Sequence, residues 1–197
     1  DTSMLNEIEP FPPTIMSEGL IHLTIRSWLL RQSGRNILID GCVGANKNRP
    51  NHPDWHRRSG TEWLQALAGE ELKPEDIDIV MCTHLHADHI TALGALRDRT
   101  SCVTVMSRHS SVDVVSMRVD DGDKIEIDGF YLEVMYTPGH TDDSCCFYRP
   151  GMLFTGDTLL IRGSGRTDFQ NGNAESAYDV LFNRLLKLPD ETLVYPG

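Results

Sequence analysis

The stretch Thr83-His84-Leu85-His86-Ala87-Asp88-His89 sets three imidazoles and a carboxylate within seven residues, more metal-binding capacity than packing requires. It follows an apolar run, residues 77–82, that reads as a buried strand fed by a turn at Pro74-Glu75-Asp76. The ligands therefore leave the carboxyl end of a core strand, where open α/β sheets place their sites, and the chain has to build a strand-centred fold around this loop. His84 and His86, two apart in an extended loop, point to the same side of the backbone. Asp88 and His89 follow where the chain turns into a helix, and they face a second, adjacent position. Imidazole together with carboxylate suits zinc, iron, manganese or nickel rather than calcium or magnesium.

Two later turns extend the pattern. Tyr136-Thr137-Pro138-Gly139-His140-Thr141 follows an alternating strand run, and its Pro-Gly pair makes a tight turn that presents His140 at the strand end. Phe154-Thr155-Gly156-Asp157 closes another short apolar run and delivers Asp157 in the same manner. Pro-Gly and Gly-Asp are ordinary turn signals alone; their order and spacing after the histidine cluster make them specific. With them the chain resembles the metallo-β-lactamase superfamily, whose pattern is H-x-H-x-D-H, a distant His, a bridging Asp and a last His. The resemblance runs from about residue 20 to the end. It implies a four-layer αββα sandwich, where periodicity alone gives only mixed α/β. It also implies His84, His86 and His140 on one metal ion, Asp88 and His89 on a second, and Asp157 bridging. Two such ions lower the pKa of a shared water from ~15.7 toward ~7 and polarise a carbonyl or phosphoryl oxygen. Asp88 would then be the catalytic group that moves the proton. This is the reading of a dinuclear zinc hydrolase for a lactone, thioester or β-lactam.

The second half points to another chemistry. The run from Gly156-Asp157-Thr158 through Arg162-Gly163-Ser164-Gly165-Arg166-Thr167-Asp168-Phe169-Gln170 closely resembles the persulfide dioxygenases of the superfamily. So do Ala87-Asp88-His89-Ile90-Thr91 and the turn at His140. That family holds one ferrous ion through residues at the positions of His84, His140 and Asp157. Two imidazoles and one carboxylate on one face form the facial triad of non-haem iron oxygenases, with positions open for O₂ and substrate. The implied substrate is glutathione persulfide, oxidised to sulfite. Arg166 and Thr141 are the implied substrate contacts, with Arg166 pairing to a glutathione carboxylate. Arg162 and Arg166 are equally explained as loop arginines that pair with Asp168 or stay solvated.

Residues ahead of the cluster, among them Ser27-Trp28-Leu29-Leu30 and Ile37-Leu38-Ile39-Asp40, resemble the lactonase-like metallohydrolases instead. Tyr195-Pro196-Gly197 stands where the superfamily would place its last His. A mononuclear iron site does not need that residue and a dinuclear site does, so the expectation favours Fe(II), with one or two Zn(II) as the alternative. A metal-binding scaffold without activity is the third reading.

The rest of the chain organises around these motifs. Residues 1–19, with Glu9-Pro10-Phe11-Pro12-Pro13, read as an irregular arm, and residues 20–197 as the domain. Strands are expected at 21–30 and 36–40 around a turn at Gln32-Ser33-Gly34-Arg35. Asp40 is then placed to hydrogen-bond a metal-bound His from behind, or simply to form a turn. The polar loop 42–60 is too long for a plain connection and reads as pocket lining, with His52 and His56 solvated or packing. A helix follows with Trp63, Leu64 and Leu67 on one face, capped by Ser59 or Thr61. Further strands are expected at 102–106, 116–119, 124–127, 130–136 and 192–195. The aspartates of Asp120-Asp121-Gly122-Asp123 are turn formers. Asn173 caps a helix over 174–188 whose apolar face carries Ala177, Val180, Leu181, Leu185 and Leu188.

At 197 residues, with 40% hydrophobic content, the chain fits one domain with a sizeable core. A formal charge of −11 argues against nucleic acid bound through basic patches. No apolar run is long enough to span a bilayer, and no basic n-region followed by an apolar h-region opens the sequence. Five scattered cysteines without CxxC spacing fit a reducing cytoplasm, with Cys82 and Cys102 as core thiols. The expected partner is a small-molecule substrate.

Overall fold

Alternation with a period of two decides which face of each strand is buried, and here it sorts the apolar residues into three layers. The computed structural model describes residues 5–8, 16–17, 20–21, 26–41, 61–85, 90–113, 115–169 and 171–197. One sheet has six strands, in the order β1 (Leu5–Ile8), β4 (Ser27–Gln32), β5 (Arg35–Ile39), β6 (Ile79–Met81), β7 (Val103–Ser107) and β8 (Met117–Val119). Strands β5 to β8 run parallel. The second sheet has the order β13 (Leu193–Pro196), β12 (Met152–Gly156), β11 (Cys145–Arg149), β10 (Phe130–Tyr136) and β9 (Lys124–Ile127). β2 (Met16–Ser17) and β3 (Leu20–Ile21), which fall between β1 and β4 in the chain, pair antiparallel as a separate two-stranded sheet. The helices are α1 (Thr61–Gly69), α2 (Ile90–Thr100) and α3 (Ala174–Asn183).

Trp28, Leu30, Ile37, Ile39, Met81 and Val105 on the first sheet meet Ile125, Ile127, Phe130, Leu132, Val134, Phe147 and Phe154 on the second. The intervening residues face outward. Leu29, Leu38, Val80 and Met106 pack with Leu67 of α1 and Leu93 of α2. Met135, Cys146 and Leu153 pack with Val180 of α3 and with Leu185. Helix, sheet, sheet, helix is therefore the order of layers, the αββα sandwich. Fully burying a side chain such as Phe147 or Phe154 stabilises by ~1.5–3 kcal/mol.

The turn between β4 and β5 has Ser33 at φ 50° and Gly34 at φ 79°, the left-handed pair that a tight two-residue hairpin requires. Asp128 and Gly129, at φ 47° and 83°, repeat it between β9 and β10. Asp120 and Asp123 bond within their own turn, Asp120 N–H to Asp123 Oδ2 at 2.7 Å, as turn formers do.

Several elements differ from expectation. Leu5–Ile8, inside the expected irregular arm, is an edge strand antiparallel to β4, because β4 offers an unpaired edge that local composition does not reveal. Leu64, expected on the apolar face of α1, is 43% exposed, whereas Leu67 is fully buried. The helix capped by Asn173, whose Oδ1 accepts from Ser176 N–H at 2.9 Å, ends at Asn183. Arg184 leaves the helical conformation there, its guanidinium held by Tyr136 O and Asp121 Oδ1, and Leu185–Lys187 continues as a 3₁₀ turn. The Pro-rich segment 9–13, the loop 42–60 with His52 and His56, and the cap residue Ser59 lie outside the described residues, as do the side chains of Thr61 and Trp63. Among the described residues no helix is long and apolar enough to cross a membrane.

Candidate metal centre

Strands β5 and β6 end side by side, and β10 and β12, each antiparallel to β11, end together on the facing sheet. Asp40, Thr83-His84, His140 and Asp157 each follow one of these four ends. Cys145 N–H donates to Thr83 O at 2.7 Å, which joins the two sheets directly behind the site.

Glycines allow the ends to meet. Gly156 has φ +48°, and a Cβ there would lie 2.0 Å from Thr83 Oγ1, so only glycine lets β12 close on Thr83 and bring Asp157 forward. At Gly139, φ +151°, a Cβ would lie 2.6 Å from Ala177 Cα and Cβ, so glycine lets the first turn of α3 seat on the turn that carries His140.

His84, His140 and Asp157 each offer one donor atom, all within 4.8 Å of one another. His140 Nε2 stands 3.4 Å and His84 Nε2 3.9 Å from Asp157 Oδ2. The two rings lie edge to face at 5.1 Å. Both imidazoles are buried, at 8% and 5% exposure, whereas the Asp157 side chain is 34% exposed, so the cluster opens to solvent past the carboxylate. Donor atoms that share one first-row ion at ~2.1 Å stand ~3–3.5 Å apart, close to what is present here.

Hydrogen bonds set the tautomers. His140 Nδ1–H donates to Arg166 O at 2.7 Å, which leaves the Nε2 lone pair on the cluster side. Thr83 Oγ1–H has Asp40 Oδ1 and Oδ2 at 3.0 and 2.9 Å, so its oxygen accepts from His84 Nδ1–H at 3.0 Å. Thr83 N–H also donates to Asp40 Oδ1 at 2.8 Å. Asp40 itself has φ 56°. Burial pushes the Asp40 carboxyl up to about 7, against the opposing bonds from Thr83. Two imidazoles with ring N–H groups tied back and one carboxylate form a donor set that fits Fe(II) or Zn(II).

Of the residues expected at the site, the structure thus brings together His84, His140 and Asp157. His86, Asp88 and His89 lie outside the described residues. Asp40 reaches His84 through Thr83 rather than directly. Arg166 is at the site through its carbonyl; its guanidinium makes a bidentate pair with Asp168 at 2.8 and 2.9 Å and lies over the Phe169 ring. Thr141 is turned inward, 1% exposed, its hydroxyl bonded to Asp143 Oδ1 and Ser144 Oγ, both at 2.7 Å. A substrate atom would reach it only by displacing that network, so Thr141 shapes the His140 turn.

Sequence reasoning missed Thr83, Gly165 and Asp143. A hydroxyl directly before a ligand histidine could have marked Thr83 as an orienting group. Gly165 has no such signal: a Cβ there would lie 2.3 Å from Asp157 O and 2.7 Å from His140 Nδ1. Cys82, Cys102, Cys145 and Cys146 are free thiols. Burial pushes Cys82, Cys145 and Cys146 up, which makes them packing groups and not nucleophiles.

Convergent imidazole and carboxylate donors above the strand ends of two stacked sheets define a candidate metal centre in an αββα sandwich. The sequence profile of the Metallo-beta-lactamase superfamily matches residues 22–114 and 109–197, and the chain belongs to that superfamily. Persulfide dioxygenase ETHE1, mitochondrial, of Bos taurus is 45% identical over 118 residues, which are 58% of this chain and 46% of that protein. Hydroxyacylglutathione hydrolase of Aeromonas salmonicida is 36% identical over 171 residues, 85% of this chain and 58% of that one. The crystal structure of ETHE1 from Myxococcus xanthus matches with a TM-score of 0.69 at 41% identity, covering 87% of this chain and 69% of that one. The chain spans about half the length of the curated relatives it matches. These relatives are enzymes, and both chemistries expected from the sequence occur among them.

Proposed function

We propose that His84, His140 and Asp157 hold one Fe(II) and that the chain acts as a persulfide-dioxygenase-like oxidoreductase on glutathione persulfide. The observation that carries this reading is the convergence of two imidazoles and one carboxylate within 4.8 Å. The similarity to persulfide dioxygenases over 58% of the chain supports it. The ion, when bound, would supply O₂ binding beside the substrate sulfur.

The chain's own residues do the rest. Arg166 O and Thr83 Oγ1 fix the imidazole tautomers and ring orientations, which leaves each Nε2 on the cluster side. Asp157 contributes the negative charge and borders the opening. The Arg166 guanidinium, exposed and paired with Asp168 across solvent, can exchange that carboxylate for a glutathione carboxylate at little cost, because exposed pairs are weak.

A dinuclear zinc hydrolase acting on a thioester or lactone is the second reading, favoured by the match to a hydroxyacylglutathione hydrolase over 85% of the chain. It would use His86, Asp88 and His89 as additional ligands, with Asp88 moving the proton. Anaerobic purification followed by metal analysis, oxygen uptake with glutathione persulfide, and hydrolysis of a glutathione thioester separate the two. About one iron per chain with persulfide-dependent oxygen uptake is expected. Nearly two zinc ions and thioester turnover without oxygen uptake would replace the first reading with the second.

A further inference from the structure

We propose that Asp143 is a positioning residue that fixes the spacing of the two metal-binding histidines; this rests on the metal reading above. Asp143 is 3% exposed, and among the described residues its carboxylate is held by hydrogen bonds rather than by a cation. It sits near Cys82 and Cys145, whose thiols its charge helps to push up. One of its oxygens, Oδ1, accepts from Thr141 Oγ1–H at 2.7 Å and from Leu85 N–H at 3.3 Å. Thr141 directly follows His140, and Leu85 directly follows His84. A single oxygen atom therefore ties the residue after one imidazole to the residue after the other, across two sheets. Thr141 Oγ1 is tied in turn to Ser144, and Cys145 N–H binds Thr83 O, so the carboxylate completes a short ring of bonds between the two ligand loops. Asp142, its sequence neighbour, is exposed and its carboxylate accepts from Asn171 Nδ2–H at the surface, so the inward placement belongs to position 143.

The test measures cobalt(II) affinity by chelator competition and the cobalt d–d spectrum for the wild type, Asp143→Ala, Asp143→Asn and Thr141→Val, each first checked for folding by circular dichroism, with His140→Ala as a control. Asp143→Ala is expected to bind cobalt at unchanged stoichiometry but ~10–100-fold more weakly and with an altered spectrum, as losses behind metal ligands do. Asp143→Asn keeps an oxygen acceptor and is expected to recover most of that loss. If Asp143→Ala does not fold, Thr141→Val, which removes one leg of the tie, should show the smaller version of the same effect. Wild-type affinity and spectrum in Asp143→Ala, or in Thr141→Val where the former does not fold, would overturn the proposal, as would an Asp143→Asn variant as impaired as the alanine. Full cobalt binding by His140→Ala would instead refute the metal reading itself.

Discussion

Replacing Gly165 by alanine tests how closely the loop after β12 holds the metal centre. The new Cβ would lie 2.3 Å from Asp157 O and 2.7 Å from His140 Nδ1, whereas ordinary contact begins near 3.4 Å, so loop and site must part by roughly 1.1 Å. That separation breaks Gly165 N–H to Asp157 O and His140 Nδ1–H to Arg166 O, both 2.7 Å. Two lost hydrogen bonds at ~0.5–1.5 kcal/mol each, with local overpacking, give about 2–4 kcal/mol of destabilisation. The freed His140 ring also loses the partner that sets its tautomer, which weakens metal binding by ~10–100-fold. Urea unfolding of the metal-free protein reads the first quantity and chelator competition the second. A Gly165→Ala protein within about 0.5 kcal/mol of wild type and with unchanged metal affinity would refute the close-packing argument.

Asp40 makes stability depend on pH. Its folded pKa, about 7, lies above the unfolded value of 3.8, so the folded state binds the extra proton and loses stability as pH rises between those values. The full shift corresponds to about 4 kcal/mol, and the partial solvent access of Asp40 reduces this to roughly 2 kcal/mol. Asp40→Asn should flatten that slope in metal-free protein unfolded at pH 5 and pH 8; an unchanged slope would contradict the assignment. Thr83→Val removes the acceptor for His84 Nδ1–H and should weaken metal binding by ~10–100-fold, with equal affinity as the contrary result. Arg166→Ala should raise KM for glutathione persulfide with kcat nearly unchanged, since an exposed guanidinium that only binds substrate contributes uniform binding; unchanged kinetics would remove it from the substrate site.

Residues whose role is set by their nearest neighbours in sequence were readable in advance. Ile125 and Ile127 alternate with Lys124 and Glu126, and the structure buries the first pair and exposes the second. Asn173 caps α3 because its side chain reaches an N–H three residues on. His84, His140 and Asp157 were legible because each ends an apolar run at a turn, and strand ends converge when two sheets stack. The rest depends on partners distant in sequence. Asp142 and Asp143 sit in one turn, where no period separates inward from outward, yet one is exposed and the other buried. The resemblance implied a substrate contact at Thr141, and the turn that carries His140 points its hydroxyl inward to Asp143 and Ser144. The β1 strand at Leu5–Ile8 and the parallel pairing of β13 with β12 are chosen by available sheet edges, which no local pattern encodes.

The proposed function rests on side chains far apart in the chain that converge to clamp one transition-metal ion. It is tested most directly by a crystal structure of protein loaded anaerobically with Fe(II), with anomalous scattering at the iron edge. One anomalous peak is expected within ~2.0–2.3 Å of His84 Nε2, His140 Nε2 and an Asp157 carboxylate oxygen, on the side open to solvent. Iron bound elsewhere, or coordinated without His140 and Asp157, would contradict it.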